Sequence, residues 1–530
     1  MTHLRQPARR RTLTPGTGLL AAGALALTLP LSGCFSTDPA DSAGAAGGSD
    51  DQRISLAMMQ PPRSGLNPMS DDAFKLSRWN TAETLVALDD ASDPVPLLAT
   101  EWEQTDELTW RFTIREGVTF HDGTELTAEA AANSLRVATE STPLPRILDG
   151  VDLQVAVDGD QVVLTTGTPD PLLPNRLSSP QLSILSEAAY DGDTISPVGT
   201  GTGPFELVAV DGTSSATLDR YSDYWGTPAA AAGIDADFVP DGTARAAALR
   251  TGTANVVETV PAGQAASIDE DLLHEVPMPR TNTLYLNAES GPFADPAVRA
   301  AAREAIDRAQ IIASAYEGRA DEAVGLLGPA LPWTLEERGG PEYHAILAER
   351  AEPAAVDGVR INLGTFTDRA ELPEVAVLLE QQLEAAGFVV EQDVREYQFI
   401  ESDALEGAFD AFILSRATIL DSGDPVAYFG ADFTCDGGFN LSQLCDEDVD
   451  AAIAKASQAP AGDGRRAAIM RAEAEILATD TAIPLLHERV IQGETGGVVD
   501  AVRDPRERTL VTAETRLEGG RTESGADADQ

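Results

Sequence analysis

Between Arg53 and Leu517, short strand-like runs alternate with capped helices, and that rhythm confines the chain to α/β architectures. Within residues 109–115, Trp110, Phe112 and Ile114 share one face at the two-residue strand period. Glu116-Gly117 offers a turn, so residues 118–120 are expected to return as the second arm of a hairpin before Asp122-Gly123. Thr127 then caps a helix with Glu129 in its first turn, where negative charge suits the helix dipole. Residues 151–157 and 161–165 flank Asp158-Gly159-Asp160, a second hairpin signal. Asp295-Pro296 opens a helix carrying Val298, Ala302, Ala305 and Ile306 on one side, and another runs from Glu371 through Val375, Leu379 and Leu383 to Gly387. Residues 411–414 read as a strand, 446–455 and 464–477 as helices, and 482–486 as a short buried strand. The body is too long for one core and implies two or three domains. Pro and Gly thicken between Thr168 and Pro204, where a crossing between lobes is expected.

Charge excludes several partners. A formal net charge of −49 and a pI near 4.2 repel nucleic acid and anionic lipid. Lysine occurs only at Lys75 and Lys455, so arginine supplies nearly all the positive charge. At the N-terminus the basic cluster Arg9-Arg10-Arg11 precedes an apolar run over 16–30 that is too short for a stable membrane span, the layout of an export signal. Leu31-Ser32-Gly33-Cys34 closes it and resembles the lipobox of bacterial lipoproteins. The resemblance implies that residues 1–33 are removed and that Cys34 is diacylated, which holds a soluble body at a membrane surface without spanning it. Arg10-Arg11-Thr12-Leu13 partly resembles a twin-arginine motif, which leaves the export route open. Residues 34–53, rich in Ser, Asp, Ala and Gly, read as a flexible tether, and 516–530 as a disordered tail. With Cys34 assigned to lipid, Cys435 and Cys445 remain to form a disulfide in an oxidising compartment. Zinc is the rival, but it needs two further ligands and no His lies nearby.

The segment Leu98-Ala-Thr-Glu-Trp102, the block from Trp110 to Thr127 with Phe120-His121-Asp122-Gly123-Thr124, Gly201-Thr-Gly-Pro-Phe205 and Tyr224-Trp-Gly226 together resemble the dipeptide, oligopeptide and nickel-binding family of extracytoplasmic solute-binding proteins that serve ABC importers. The similarity continues at Tyr285-Leu-Asn287, Ala305-Ile-Asp-Arg308, Asp424-Pro425 and Ile483-Pro-Leu-Leu-His487. It implies a type II periplasmic-binding-protein-like α/β fold: two lobes joined by two hinge strands, plus a small inserted domain, closing over solute. The expected lobe I is discontinuous, at 54–92, 196–270 and 484–515. The inserted domain is expected at 93–195 and lobe II at 271–483. A permease and ATPase complex is the implied partner, with the membrane engaged only through lipid, and a monomer is expected.

A charged solute held between lobes needs buried counter-charges. Asp421 follows the strand-like run 411–414 on a loop at a strand end, where α/β clefts bind ligand, and the resemblance gives the matching Asp to a ligand ammonium group. Arg369, just before the helix from Glu371, is the expected carboxylate partner. Arg416, Arg280 and Arg146 are further candidates, and in nickel-binding relatives the inserted domain offers an arginine near the place of Arg146. Asp424 and His121 read as structural. Thr418 and Ile419 stand where the dipeptide branch carries an aromatic residue. A short peptide is the expected ligand, and an opine-like, metallophore or nickel-chelate solute the alternative. No catalytic residue, protein-held metal or cofactor is expected. Asp421-Ser422-Gly423-Asp424-Pro425 faintly resembles a protease nucleophile loop, but no Gly-x-Ser-x-Gly elbow or His-Glu-x-x-His helix accompanies it.

Overall fold

The computed structural model describes residues 52–518, apart from Asp193 and Leu420. The expected signal segment, Cys34, most of the tether and most of the tail lie outside the described residues. Strand β1 (Arg53–Met58) and helix α1 (Ala73–Arg78) come first. The chain then builds an antiparallel sheet from β2 (Ala99–Gln104), β3 (Thr109–Ile114), β4 (Leu153–Asp158) and β5 (Gln161–Thr166), in the order β2-β3-β5-β4. Helix α2 (Ala128–Glu140) packs against it, capped by Thr127, whose hydroxyl accepts the Ala130 N–H at 3.2 Å. The hairpin expected between 109–115 and 118–120 does not form. β3 pairs upstream with β2, setting Trp102 opposite Phe112, and downstream with β5. Residues 118–120 instead enter a tight turn in which the Phe120 N–H donates to Thr124 O at 2.8 Å. A whole neighbouring strand thus outcompetes a three-residue partner.

The main sheet has eleven strands. Its first contributors after β1 are β6 (Phe205–Asp211), β7 (Ser215–Arg220), β8 (Gly233–Phe238) and β9 (Val256–Val257). Then come β10 (Leu273–Leu286), β11 (Ala320–Glu322), β12 (Val359–Phe366), β13 (Phe388–Arg395), β14 (Ala411–Ala417) and β15 (Ala482–Glu494). The order is β13-β12-β14-β10-β15-β9-β1-β8-β7-β6, with β11 on β15. At one end β1 runs parallel to β8 and β9 over a core of Ile54, Leu56, Trp79, Phe205 and Leu218, which is lobe I. At the other, parallel β12, β13 and β14 pack with α3 (Pro296–Ala305) and α4 (Glu371–Ala385) on Leu284, Phe293, Leu363, Leu379 and Ile413, which is lobe II. Each such fully buried side chain contributes about 1.5–3 kcal/mol.

Strands β10 and β15, of 14 and 13 residues, serve both ends. Their pairing slips between Pro277 and Thr281. Pro277 and Pro279 have no N–H to give the ladder, so the strand bends where it passes from one lobe to the other. The expected short strand at 482–486 is therefore too brief. It continues through His487 and Glu488, polar residues whose partners lie in the packed interior, and Arg489, which pairs with Asp321 and Glu275.

Met69, Leu85 and Val86, expected in lobe I, pack into the inserted domain's core with Phe112, Leu135 and Val162. Arg516 and Leu517, expected in the tail, form β17 (Arg516–Leu517), which pairs with β16 (Val498–Val499). Between those strands the C-terminal strap, 500–515, seats Leu510 and Val511 in the lobe I core. Gly201 and Gly203 dock the crossover on lobe I: a Cβ at either would stand 2.0 Å from the backbone oxygen of Thr81 or Asn80. His121 seals the joint, its Nε2 lying 2.9 Å from Gly203 O.

Candidate functional site

A cleft of about 860 Å³ opens where the two lobes, the inserted domain and the C-terminal strap meet. Asp421, Arg369, Arg416, Arg280 and Arg146 all line it. They arrive from four places: Arg146 from a short helical turn (Arg146–Leu148) of the inserted domain, Arg280 from the slipped segment of β10, Arg416 from β14, and Arg369 and Asp421 from loops of lobe II. Strand-end loops of a parallel sheet are where an α/β fold presents ligand groups.

Most of these charges are engaged with one another or with acids the sequence reading did not single out. Arg146 donates from Nε and Nη2 to the two Asp421 oxygens at 2.9 and 2.7 Å, and from Nη1 to Asp71 at 3.0 Å. This ties the inserted domain to both lobes, and the Asp421 hydrogen bonds raise the Arg146 pKa further. Asp421 thus carries a guanidinium in the place expected for a ligand ammonium. Arg416 forks onto Asp432 of α5 (Val426–Phe433) at 2.9 and 2.7 Å and lies 4.4 Å over the Phe439 ring. Asp432 is fully buried, and that burial pushes its carboxyl up to about 6 against the pull of Arg416. Arg369 donates to Glu488 at 2.7 Å, and Glu488 also accepts from Ser415 Oγ at 2.6 Å and Asn282 Nδ2 at 2.8 Å.

The remaining cleft cations follow the same rule with one exception. Lys75 pairs with Asp72 at 2.9 Å and Arg176 with Asp170 at 2.6 Å. Arg78 pairs with Glu258 and donates from Nε to Glu507 O at 2.8 Å. The Arg280 side chain makes no hydrogen bond. Its nearest acid is Glu507, with Nε and Oε1 3.5 Å apart, and both atoms are buried without a hydrogen-bond partner.

Glu507, Glu488 and Asp432 were missed by sequence reading. A signal existed for two of them. Asp504-Pro505-Arg506-Glu507-Arg508 is a dense charged run, and Glu488 interrupts an apolar strand. Asp424 pairs with Arg465 at 2.6 and 3.0 Å and accepts the Val426 N–H at 2.9 Å, a structural role. Ser422 Oγ accepts the Asp424 N–H at 3.3 Å. Cys435 and Cys445 are disulfide-bonded. Among the described residues no group of three or more His, Cys, Asp or Glu side chains is placed to hold a metal ion, and no helix is long and apolar enough to cross a membrane.

Residues 93–440 match the family model described as the middle part of bacterial extracellular solute-binding proteins, family 5. The chain belongs to this family. Its members bind solutes rather than transform them. A glutathione-binding protein, GsiB, of Escherichia coli O1:K1 is 29% identical over 294 residues. That match takes in 53% of this chain and 57% of the relative, so the chain spans little more than half the length of that protein. The nickel-binding protein NikA of Staphylococcus aureus is 25% identical over 380 residues, 70% of this chain and 75% of the relative. The solved structure described as a nickel ABC transporter from Bacillus halodurans superposes with a TM-score of 0.75 at 26% identity, covering 88% of this chain and all of that one.

Proposed function

We propose that this family 5 protein is a lipid-anchored extracytoplasmic receptor that captures a short peptide in the interlobe cleft and delivers it, as a monomer, to the permease and ATPase of an ABC importer. The observation that carries this reading is the convergence of Asp421, Arg146, Arg280, Arg369 and Arg416 from separate elements on one cleft. A peptide backbone ends in one ammonium and one carboxylate, and the cleft offers acid and guanidinium to both. In this reading the ligand ammonium displaces Arg146 from Asp421. The exchange swaps one charge-assisted pair for another, so the cleft does not face an unpaired buried carboxylate. Capture closes the lobes because the closed form binds the solute better.

An opine-like or nickel-chelate solute is the second reading. It is favoured by the surplus of cleft guanidiniums and by the likeness to nickel-binding relatives. An exported hydrolase finds no support in the engaged Ser422 hydroxyl.

A thermal-shift screen of di- to pentapeptides, glutathione, opines and nickel chelates tests both readings. A true ligand at a hundred times its dissociation constant adds about 2.7 kcal/mol to stability. Stabilisation by chelates alone would replace the peptide reading, and none by any class would remove the solute reading for this chain. Acyl modification of the mature protein, lost in Cys34→Ala, tests the anchor by mass spectrometry.

A further inference from the structure

We infer that the ligand's carboxylate is seated on Arg280 rather than on Arg369, and that Glu507 limits that seat to a single carboxylate. The inference rests on the peptide-capture reading above and specifies which end of the solute goes where. Arg280 stands where Pro277 and Pro279 break the pairing of β10 with β15, so its side chain comes off an irregular part of the strand at the cleft floor. Every other cleft-lining cation among the described residues has a carboxylate within hydrogen-bond reach, and Arg280 has none. Its buried Nε lacks a partner, and a guanidinium presents a flat fork that matches a carboxylate. Such an orphaned donor in a cleft calls for an acceptor that arrives from outside.

Glu507 does not fill that role. Its Oε1 and Oε2 lie 3.5 Å from Arg280 and Arg78 respectively, beyond good hydrogen-bond geometry, and its backbone is pinned by the Arg78 Nε bond. The acid stands between two guanidiniums as a fixed negative charge. It orients Arg280 without saturating it, and it repels a second anionic group brought in beside the first. Arg369, by contrast, is anchored to Glu488, itself held by Ser415 and Asn282. The ligand axis then runs from Asp421 towards Arg280 at the hinge, and monocarboxylate solutes are preferred over those carrying several carboxylates.

Isothermal titration with a library of tripeptides, each as free acid and as C-terminal amide, tests the assignment. The free acids should bind about 10- to 100-fold more tightly than the amides. Arg280→Gln should erase that difference, Arg280→Lys should restore part of it, and Arg369→Gln should leave it intact. Glu507→Gln reads the positioning role: the wild type should favour Ala-Ala-Gln over Ala-Ala-Glu, and the variant should lose the preference. Should Arg280→Gln fail to fold, the acid-to-amide ratio of the wild type and of Arg369→Gln still decides. Equal binding of acids and amides, or a ratio lost in Arg369→Gln, overturns the seat while leaving peptide capture standing. Absence of binding by acids and amides alike overturns the peptide reading, and the seat with it.

Discussion

Arg146 and Asp421 illustrate how one side chain does two jobs. Their bidentate pair satisfies both partners, and at 47% and 28% side-chain exposure it is accessible to the exchange that the peptide reading requires. Asp421→Ala should therefore weaken peptides bearing a free amino terminus by about 10- to 100-fold more than their N-acetylated forms. Equal weakening in a titration of both forms would show that the ammonium goes elsewhere. Buried histidines set a different kind of sensitivity. Burial drives His487 from the ordinary 6.5 down to about 3 and His121 down to about 4. The native state then binds fewer protons than the unfolded chain below 6.5, so stability present above that value is lost as pH falls. Each ring should cost about 2 kcal/mol between pH 7 and pH 5. His487→Gln should flatten the denaturation profile by that amount, and an unchanged slope would mean that His487 is not titrating as its burial implies. The candidate arginines were legible because lysine is nearly absent, so arginine carries the positive charge, and loop positions follow from strand ends. Their acids were not, because Asp432, Glu488 and Glu507 lie 16 to 227 positions from the arginines they meet, a distance only the fold closes.

Among elements, local chemistry proved readable and pairing did not. Thr127, Asp295 and Asp446 cap the helices their side chains announce, the last of them α6 (Glu447–Gln458), and Gly159 turns the hairpin between β4 and β5 at φ +66°. Those signals act within four residues, so sequence carries them whole. The partner of β3 and the true length of β15 depend on residues far away, and a hydrophobic pattern that stops at Leu486 cannot show that His487 and Glu488 are satisfied by Thr281, Ser415 and Asn282. The disulfide belongs to this scale as well. It closes a loop of separation 10 between α5 and α6, two helices that also pack on one another. Chain-entropy restriction for so short a loop is about 2–3 kcal/mol. Cys445→Ser, or dithiothreitol on the wild type, should lower stability by that amount in urea titrations, with cleft binding preserved because neither cysteine lines it. A loss of binding without a loss of stability would place the loop nearer the solute than its position indicates.

For the whole molecule the question is how a trap on two strands balances open against closed. Among the described residues only β10 and β15 carry the main sheet from lobe to lobe, so bending at Pro277–Thr281 is resisted by little besides contacts across the cleft. Those contacts are polar: Arg146 to Asp71 and Asp421, Arg466 of α7 (Asp463–Ala478) to Asp93, Arg508 Nη2 to Asp421 O at 2.8 Å, and Asn175 Nδ2 to Ser422 O at 3.4 Å. Against them stands the self-repulsion of a chain with net charge −49. Partly exposed ion pairs contribute about 0.2–1 kcal/mol each, so these ties hold the lobes together by a narrow margin at most, which a solute can widen. Replacing both Arg146 and Arg466 by glutamine removes three such ties and makes the net charge more negative by two. The closed fraction should fall several-fold, and apparent affinity should fall by the same factor, since a ligand pays for a state less often populated. Solution scattering should show a larger radius of gyration for the unliganded variant than for the unliganded wild type, with the two converging at saturating ligand. Raising ionic strength should narrow the unliganded gap, because the repulsion acts over a Debye length while the ties act at contact. Identical radii without ligand would mean that the hinge itself, not the charge across the cleft, sets the resting position.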